Sequence, residues 1–223
     1  MYLMNQYEYV LSDRPEIMAF LPEKYDTVLE IGCAKGGFKA SLRENVEIWG
    51  VEPNPLAAKS AAVMGYKVLV GTYDMVADNC PDEYFDLIIC NDVIEHMVDH
   101  EKFLNDIKKK MKRNGLIVGS IPNVRYFGNL FKLIILKDWK YEEQGILDRT
   151  HLRFFTGKSL HRTFLNNNFE IQRLAGVNSD FRRRLTIRQL CKNTLLLAVI
   201  LLTFGFFRDL QYLQYGFRLK LPG

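Results

Sequence analysis

Cysteine is scarce in this chain of 223 residues: four in all, at positions 33, 80, 90 and 191. Their spacing suits neither a metal site nor a disulfide framework, so they read as reduced thiols of a cytosolic protein. A strong charge of one sign is also missing. The net charge of +4 gives no nucleic-acid signature, and no nucleic-acid partner is expected. Met1 to Asp13 is polar and rich in tyrosine, which is not the pattern of a signal peptide. There is no internal repeat and no low-complexity tract. The apolar run Leu195 to Phe207 has about thirteen residues, fewer than the roughly 20 of a spanning helix. What is present is a hydrophobic content of 48%, enough for a full core, in a length suited to one α/β domain rather than two.

The chain is organised around Val28 to Phe38, which reads Val-Leu-Glu-Ile-Gly-Cys-Ala-Lys-Gly-Gly-Phe. The apolar run Val28, Leu29 and Ile31 suits a buried parallel strand. Gly32, Gly36 and Gly37 then turn the backbone into an apparent helix. A strand, a glycine turn and a helix N-terminus gather backbone N–H groups at one point, which suits the polar end of a nucleotide-like cofactor. The spacing is Gly-x-x-x-Gly-Gly. Ala34 stands where the dinucleotide motif has its second glycine, and no Gly-Lys-Ser/Thr of a Walker loop follows. Glu30 lies at the end of the strand. Glu52, beside Pro53, closes the next apolar run (Val46 to Val51), where an acid can accept hydrogen bonds from ribose hydroxyls.

At these residues the chain resembles the class I S-adenosylmethionine-dependent methyltransferases. Their first motif is two hydrophobic residues, Glu or Asp, a hydrophobic residue and Gly-x-Gly-x-Gly. Here Cys33 and Ala34 leave out the middle glycine. The resemblance implies S-adenosylmethionine as cofactor, held by Glu30, Gly32, Cys33, Ala34, Gly36, Glu52 and Pro53. It also implies an α/β fold with a doubly wound, mostly parallel seven-stranded sheet.

Residues 14 to 21 suggest a short helix in an N-terminal cap spanning residues 1–25. In the resembling family such a segment covers the cofactor pocket, which would place Tyr7, Tyr9 and Arg14 on the cofactor; a solvated helix is the plain alternative. A helix is expected over Gly37 to Glu44, another over Pro53 to Met64, and a third strand over Tyr66 to Val70. Thr72, Tyr73 and Asp74 follow in a loop where the family sets an Asp against the adenine amino group. The fourth strand, Phe85 to Cys90, leads into Asn91-Asp92-Val93-Ile94-Glu95-His96, which resembles the family's Asp-Val-Leu-Glu-His. Asn91, Asp92 and Val93 are expected on the cofactor. His96 is either a general base or a partner of nearby backbone. Phe103 to Met111 reads as an amphipathic helix whose lysines face water and complement its dipole. Leu116 to Ile121 is strand five.

Ile121-Pro122-Asn123-Val124-Arg125-Tyr126 and Asp148-Arg149-Thr150-His151-Leu152-Arg153-Phe154-Phe155-Thr156 resemble a narrower subset, found in bacterial surface-polysaccharide and O-antigen assembly. They mark residues 122–156 as a substrate-side insertion. Asn123, Arg125, Tyr126, Asp148, Arg149 and Arg153 are candidates to bind a sugar or nucleotide-sugar phosphate. His151 is a candidate base for a hydroxyl. The plain alternative for this cluster is an ion-pair network of Asp148 with Arg149 or Arg153 that holds a lid. No metal-ligand spacing is evident, and no metal is expected.

Tyr126 to Trp139 looks like a helix over the active-site mouth with more apolar surface than one face needs. Thr156 should cap a helix to Asn167, and Phe169 to Leu174 should be strand six. Residues 178–208 form a basic and apolar helical insertion, in which Arg182, Arg183, Arg184 and Arg188 precede the apolar run. Tyr215 to Leu221 alternates as a final antiparallel strand. The expectation is therefore a single domain, residues 1–223, that O-methylates a sugar hydroxyl in glycan or lipopolysaccharide assembly. Methylation of a lipid-like or quinone-like acceptor is the enzymatic alternative, and a non-catalytic scaffold is the alternative of another class. The insertion is expected to meet an anionic membrane surface, making the cytoplasmic protein peripheral, or to pack as a core helix on the protein's own body or on a second copy in a homodimer.

Overall fold

The computed structural model describes residues 13–182 and 186–223. Tyr7, Tyr9, Arg183 and Arg184 lie outside them. The described chain builds one seven-stranded sheet in the order β3-β2-β1-β4-β5-β7-β6. Its first five strands are β1 (Thr27–Ile31), β2 (Glu47–Glu52), β3 (Lys67–Val70), β4 (Phe85–Asn91) and β5 (Met111–Pro122). All neighbours among these five are parallel. β6 (Glu170–Ser179) and β7 (Tyr212–Lys220) complete the sheet, and β7 runs antiparallel to both β5 and β6. The doubly wound fold and its reversed last strand are as expected.

Alternation along β1 explains the two layers. Leu29 and Ile31 enter one core with Phe85, Phe103 and Phe217; Val28 enters the other with Ile17, Phe20 and Tyr66. The covering helices are α1 (Pro15–Met18), α2 (Pro55–Val63), α3 (Tyr73–Val76), α4 (His100–Ile107), α5 (Phe127–Ile134), α6 (Gly157–Asn166) and α7 (Ile187–Leu202). Several boundaries follow side-chain caps. Asn54 accepts the N–H groups of Leu56 and Ala57 at the start of α2. Asp99 accepts that of Lys102 at the start of α4, and Thr156 forms a capping box with Ser159 at α6, as its sequence suggested.

Four expectations need correction. The helix expected over Gly37 to Glu44 is a single 3₁₀ turn, Gly37–Ser41, because the Tyr25 hydroxyl takes the N–H of Arg43 at 3.1 Å. The N-terminal helix keeps only one turn, since Arg14 before it sits at φ 50°. Lys110 does not face water: it is buried, and its Nζ donates to the Cys80 carbonyl at 2.8 Å and pairs with Asp82. The helix expected to run to Trp139 stops at Ile134, and Lys137 turns the chain at φ 54°.

Candidate active site

β1 lies between β2 and β4, so the carboxyl ends of these strands frame the crevice where open α/β sheets bind ligands. The glycine turn after β1 holds three residues in the left-handed region: Gly32 at φ 69°, Ala34 at 47° and Gly36 at 79°. A side chain at Gly36 would also meet the Tyr66 ring at 2.9 Å. Glu52 ends β2, buried, and ties the turn down. Its Oε2 accepts the Ala34 N–H at 2.9 Å across 18 residues, and its Oε1 accepts the Asn54 N–H at 2.8 Å just past Pro53. Glu30 is buried one strand away, where the Tyr66 hydroxyl donates to it at 2.6 Å. Burial pushes its carboxyl up to about 8. Burial likewise raises the Cys33 thiol, which marks it as a structural rather than a reactive sulfur.

The turn after β4 touches the turn after β1: a Cβ on Gly32 would lie 3.2 Å from Val93. Asp92 sits at φ 53° and gathers donors from three segments. Arg14 Nη1 reaches it at 2.7 Å, Ser120 Oγ at 2.8 Å and Gln214 Nε2 at 2.7 Å. Asn91, just before it, has both side-chain polar atoms buried without a hydrogen-bond partner among the described residues. A buried amide of this kind calls for a polar partner, a water or a bound ligand. With the left-handed turn and the carboxylate of Glu52, it makes this crevice fit a nucleoside carrying an amino-acid tail.

Two of the expected cofactor contacts are placed elsewhere. Tyr73 opens α3 instead of a loop, which turns its ring into the core against Phe103, 5.1 Å between centroids. Asp74 points to solvent and pairs with Lys102 at 3.5 Å. Thr72 is exposed at the α3 cap position. Arg14 spends its guanidinium on Asp92, Ser120 and Glu16.

Beyond Val93 lies the 3₁₀ turn Ile94–His96. The loop around His151 docks on it, because Leu152 and Arg153 both donate their N–H to the Glu95 carbonyl. His151 is buried. Its Nδ1 stands 3.0 Å from the Ile146 carbonyl, which can only accept, so Nδ1 carries the proton. The other nitrogen, Nε2, faces Glu95 Oε1 at 3.9 Å. Glu95 is 1% exposed, and neither carboxyl oxygen has a hydrogen-bond partner among the described residues. Burial and the nearby Asp92 push its carboxyl well above the usual range. The His96 ring packs edge-on against His151, 4.7 Å between centroids. Partial burial and His151 hold the His96 imidazole below its ordinary value. Glu95, His96 and His151 each bring a ligand atom within 4.8 Å of the others. The chain therefore does contain a donor set able to hold a divalent ion, against the expectation from spacing, because His151 joins from a distant loop.

The residues expected to bind a sugar are built into the scaffold. Asn123 is fully buried, and its Nδ2 donates to the Asp209 and Tyr212 carbonyls. Arg125 pairs with Asp209, and the Tyr126 hydroxyl donates to Asp180 at 2.7 Å. Asp148 caps Thr150 rather than pairing with an arginine. Arg149 pairs with Glu143 at the surface, and Arg153 holds the carbonyls of Leu152 and Val98.

Comparison with known proteins agrees with this geometry. Residues 4–174 match a family model described as a methyltransferase domain. The chain belongs to the methyltransferase-domain family. Its fold is that of the class I S-adenosylmethionine-dependent methyltransferases. The methyltransferase is 31% identical over 156 residues to a ubiquinone biosynthesis O-methyltransferase of Bradyrhizobium diazoefficiens, covering 67% of this chain and 60% of that protein. It is 25% identical over 165 residues to the enzyme of the same name from Rickettsia prowazekii, covering 67% and 61%. The chain thus spans about 60% of the length of the curated relatives it matches. A solved S-adenosylmethionine-dependent methyltransferase from Archaeoglobus fulgidus shares the fold with a TM-score of 0.61 at 21% identity, covering 87% of this chain and 86% of that one.

Sequence reasoning found the glycine turn, Glu52 and the turn after β4. It did not single out Ser120 and Gln214, which complete the Asp92 network, or Glu95 as the partner of His151. Ser120 and Gln214 carry no local signal, since each acts through strand pairing with a distant segment.

Proposed function

We propose that this methyltransferase O-methylates a hydroxyl on a small, quinone-like acceptor. The supporting observation is His151, buried, with Nδ1 committed to the Ile146 carbonyl and Nε2 aimed at Glu95. That tautomer leaves Nε2 as the acceptor of a hydroxyl proton. S-Adenosylmethionine supplies an electrophilic methyl group when bound. The chain's own task is to hold the acceptor oxygen near Nε2, take its proton there, and keep water out with the surrounding aromatic side chains. Proximity and orientation then supply much of the rate. A phenolic hydroxyl, acidic enough for an imidazole to deprotonate in part, suits this arrangement better than an alcohol does.

Support also comes from the relatives named for ubiquinone biosynthesis. Sugar methylation draws less support, because Arg125, Arg149 and Arg153 already hold Asp209, Glu143 and backbone carbonyls. The test is incubation with methyl-labelled cofactor and two acceptor sets, alkylated catechols and nucleotide sugars, read by mass spectrometry. Label on a ring hydroxyl supports the reading. Label on sugars alone, or on neither set, refutes it.

A further inference from the structure

The segment between β6 and β7 takes no part in the site just described. α7 ends at Leu202, and the chain turns through Phe204 at φ 50° and Gly205 at φ 82° before returning to β7. The turn carries its largest side chains outward: Leu202 is 81% exposed, Phe204 100% and Phe206 72%. Soluble surfaces seldom gather apolar side chains this way without a partner. Among the described residues no helix is long and apolar enough to cross a membrane. β6 and β7 pair in one sheet, so both ends of the insertion stay on one side of anything it meets.

The segment is held firmly at its base. Lys192 of α7 donates to the Tyr126 hydroxyl and pairs with Asp180 at 2.7 Å. Arg125 lies over the Phe207 ring at 5.5 Å. The tip is therefore a fixed projection beside the start of α5. α5 and its continuation in turn expose Ile134, Ile135 and Leu136.

Charge identifies the partner. Residues 186–208 contain Arg188, Lys192 and Arg208 and no acid, and Asp209, which follows, is taken by Arg125. Among the described residues Arg208 forms no ion pair. A second copy docked by two-fold symmetry would set these cations against themselves. An anionic bilayer meets them with opposite charge while the aromatic and leucine side chains enter its interface.

We infer that the tip formed by Leu202, Phe204 and Phe206, followed by Arg208, docks this methyltransferase on an anionic lipid surface. The inference does not depend on which acceptor is methylated.

Co-sedimentation of the full chain with phosphatidylcholine vesicles, with and without about a third phosphatidylglycerol, tests it. The protein should pellet with the anionic vesicles at low salt and release as salt rises; neutral vesicles should hold at least about tenfold less. A Phe204→Glu/Phe206→Glu double variant should lose binding about tenfold or more while keeping its affinity for S-adenosylmethionine, which shows that it folds. An Arg208→Gln variant, with the apolar tip intact, should bind several-fold more weakly and with a shallower salt dependence. Failure to bind anionic vesicles at low salt overturns the inference, as does equal binding to neutral vesicles. Wild-type binding by the double variant overturns it too. So does a concentration-dependent dimer that the same double variant dissolves, which would assign the tip to a second copy.

Discussion

Replacing Glu30 by glutamine should flatten part of the pH dependence of stability. Glu30 is buried on β1, and the Tyr66 hydroxyl donates to its Oε2 at 2.6 Å. Burial raises its carboxyl to about 8 in the folded protein. In the unfolded chain the same group releases its proton near its ordinary value of about 4.3. Below that value both states are protonated and Glu30 has no effect on stability. Between there and about pH 8, unfolding releases a proton, so stability falls as pH rises. The slope is about 1.4 kcal/mol per pH unit, or about 3.6 kcal/mol accumulated by pH 7. Glutamine has no proton to lose, and its carbonyl still accepts from Tyr66. Its amide group brings its own desolvation cost of about 1–3 kcal/mol, constant with pH. The stability difference between Glu30→Gln and wild type should therefore grow in favour of the variant from pH 5 to pH 8. Each kcal/mol is worth roughly 2–4 °C in melting temperature for a chain of this size. Denaturant melts at several pH values measure it. A difference that stays flat over this range would show that Glu30 is ionised in the folded state and would refute the reasoning.

Three further outcomes are expected. Ala34→Gly should stabilise the protein by about 0.5–1 kcal/mol, since the left-handed backbone at φ 47° costs an alanine more than the unfolded-state entropy of glycine returns; a lower melting temperature would contradict it. Glu52→Ala leaves the N–H groups of Ala34 and Asn54 without their acceptor and should cost about 2–4 kcal/mol of stability. It should also raise the dissociation constant of S-adenosylmethionine at least about tenfold by calorimetry, and an unchanged constant would remove Glu52 from the site. His151→Ala should lower turnover by about 10²-fold or more with cofactor affinity nearly unchanged. Full turnover in the variant would hand the proton to His96. Loss of wild-type activity on chelation, restored by a divalent ion, would instead make Glu95, His96 and His151 metal ligands.

The parts of the fold legible in the sequence are those set by neighbouring residues. The apolar run at Val28 and the glycines after it give β1 and its turn; Thr156 and Ser159 give the start of α6; the alternation after Tyr215 gives β7. The misread parts depend on distant partners. Asn123 and Arg125 look like ligand-binding residues in isolation, yet the backbone and carboxylate of Asp209 claim them across a strand crossing. Lys110 sits in a run of lysines, but the Cys80 carbonyl and Asp82 bury it. The pairing of His151 with Glu95 depends on a loop folding back over the turn after β4, and no spacing in the sequence announces that contact.

The most direct test of the account is calorimetric titration of the protein with S-adenosylmethionine. The glycine turn, Glu52 and the buried Asn91 amide predict a single site per chain, saturable and competed by S-adenosylhomocysteine. Absence of binding heat at several temperatures would contradict the cofactor crevice and, with it, the methyl-transfer chemistry assigned to His151.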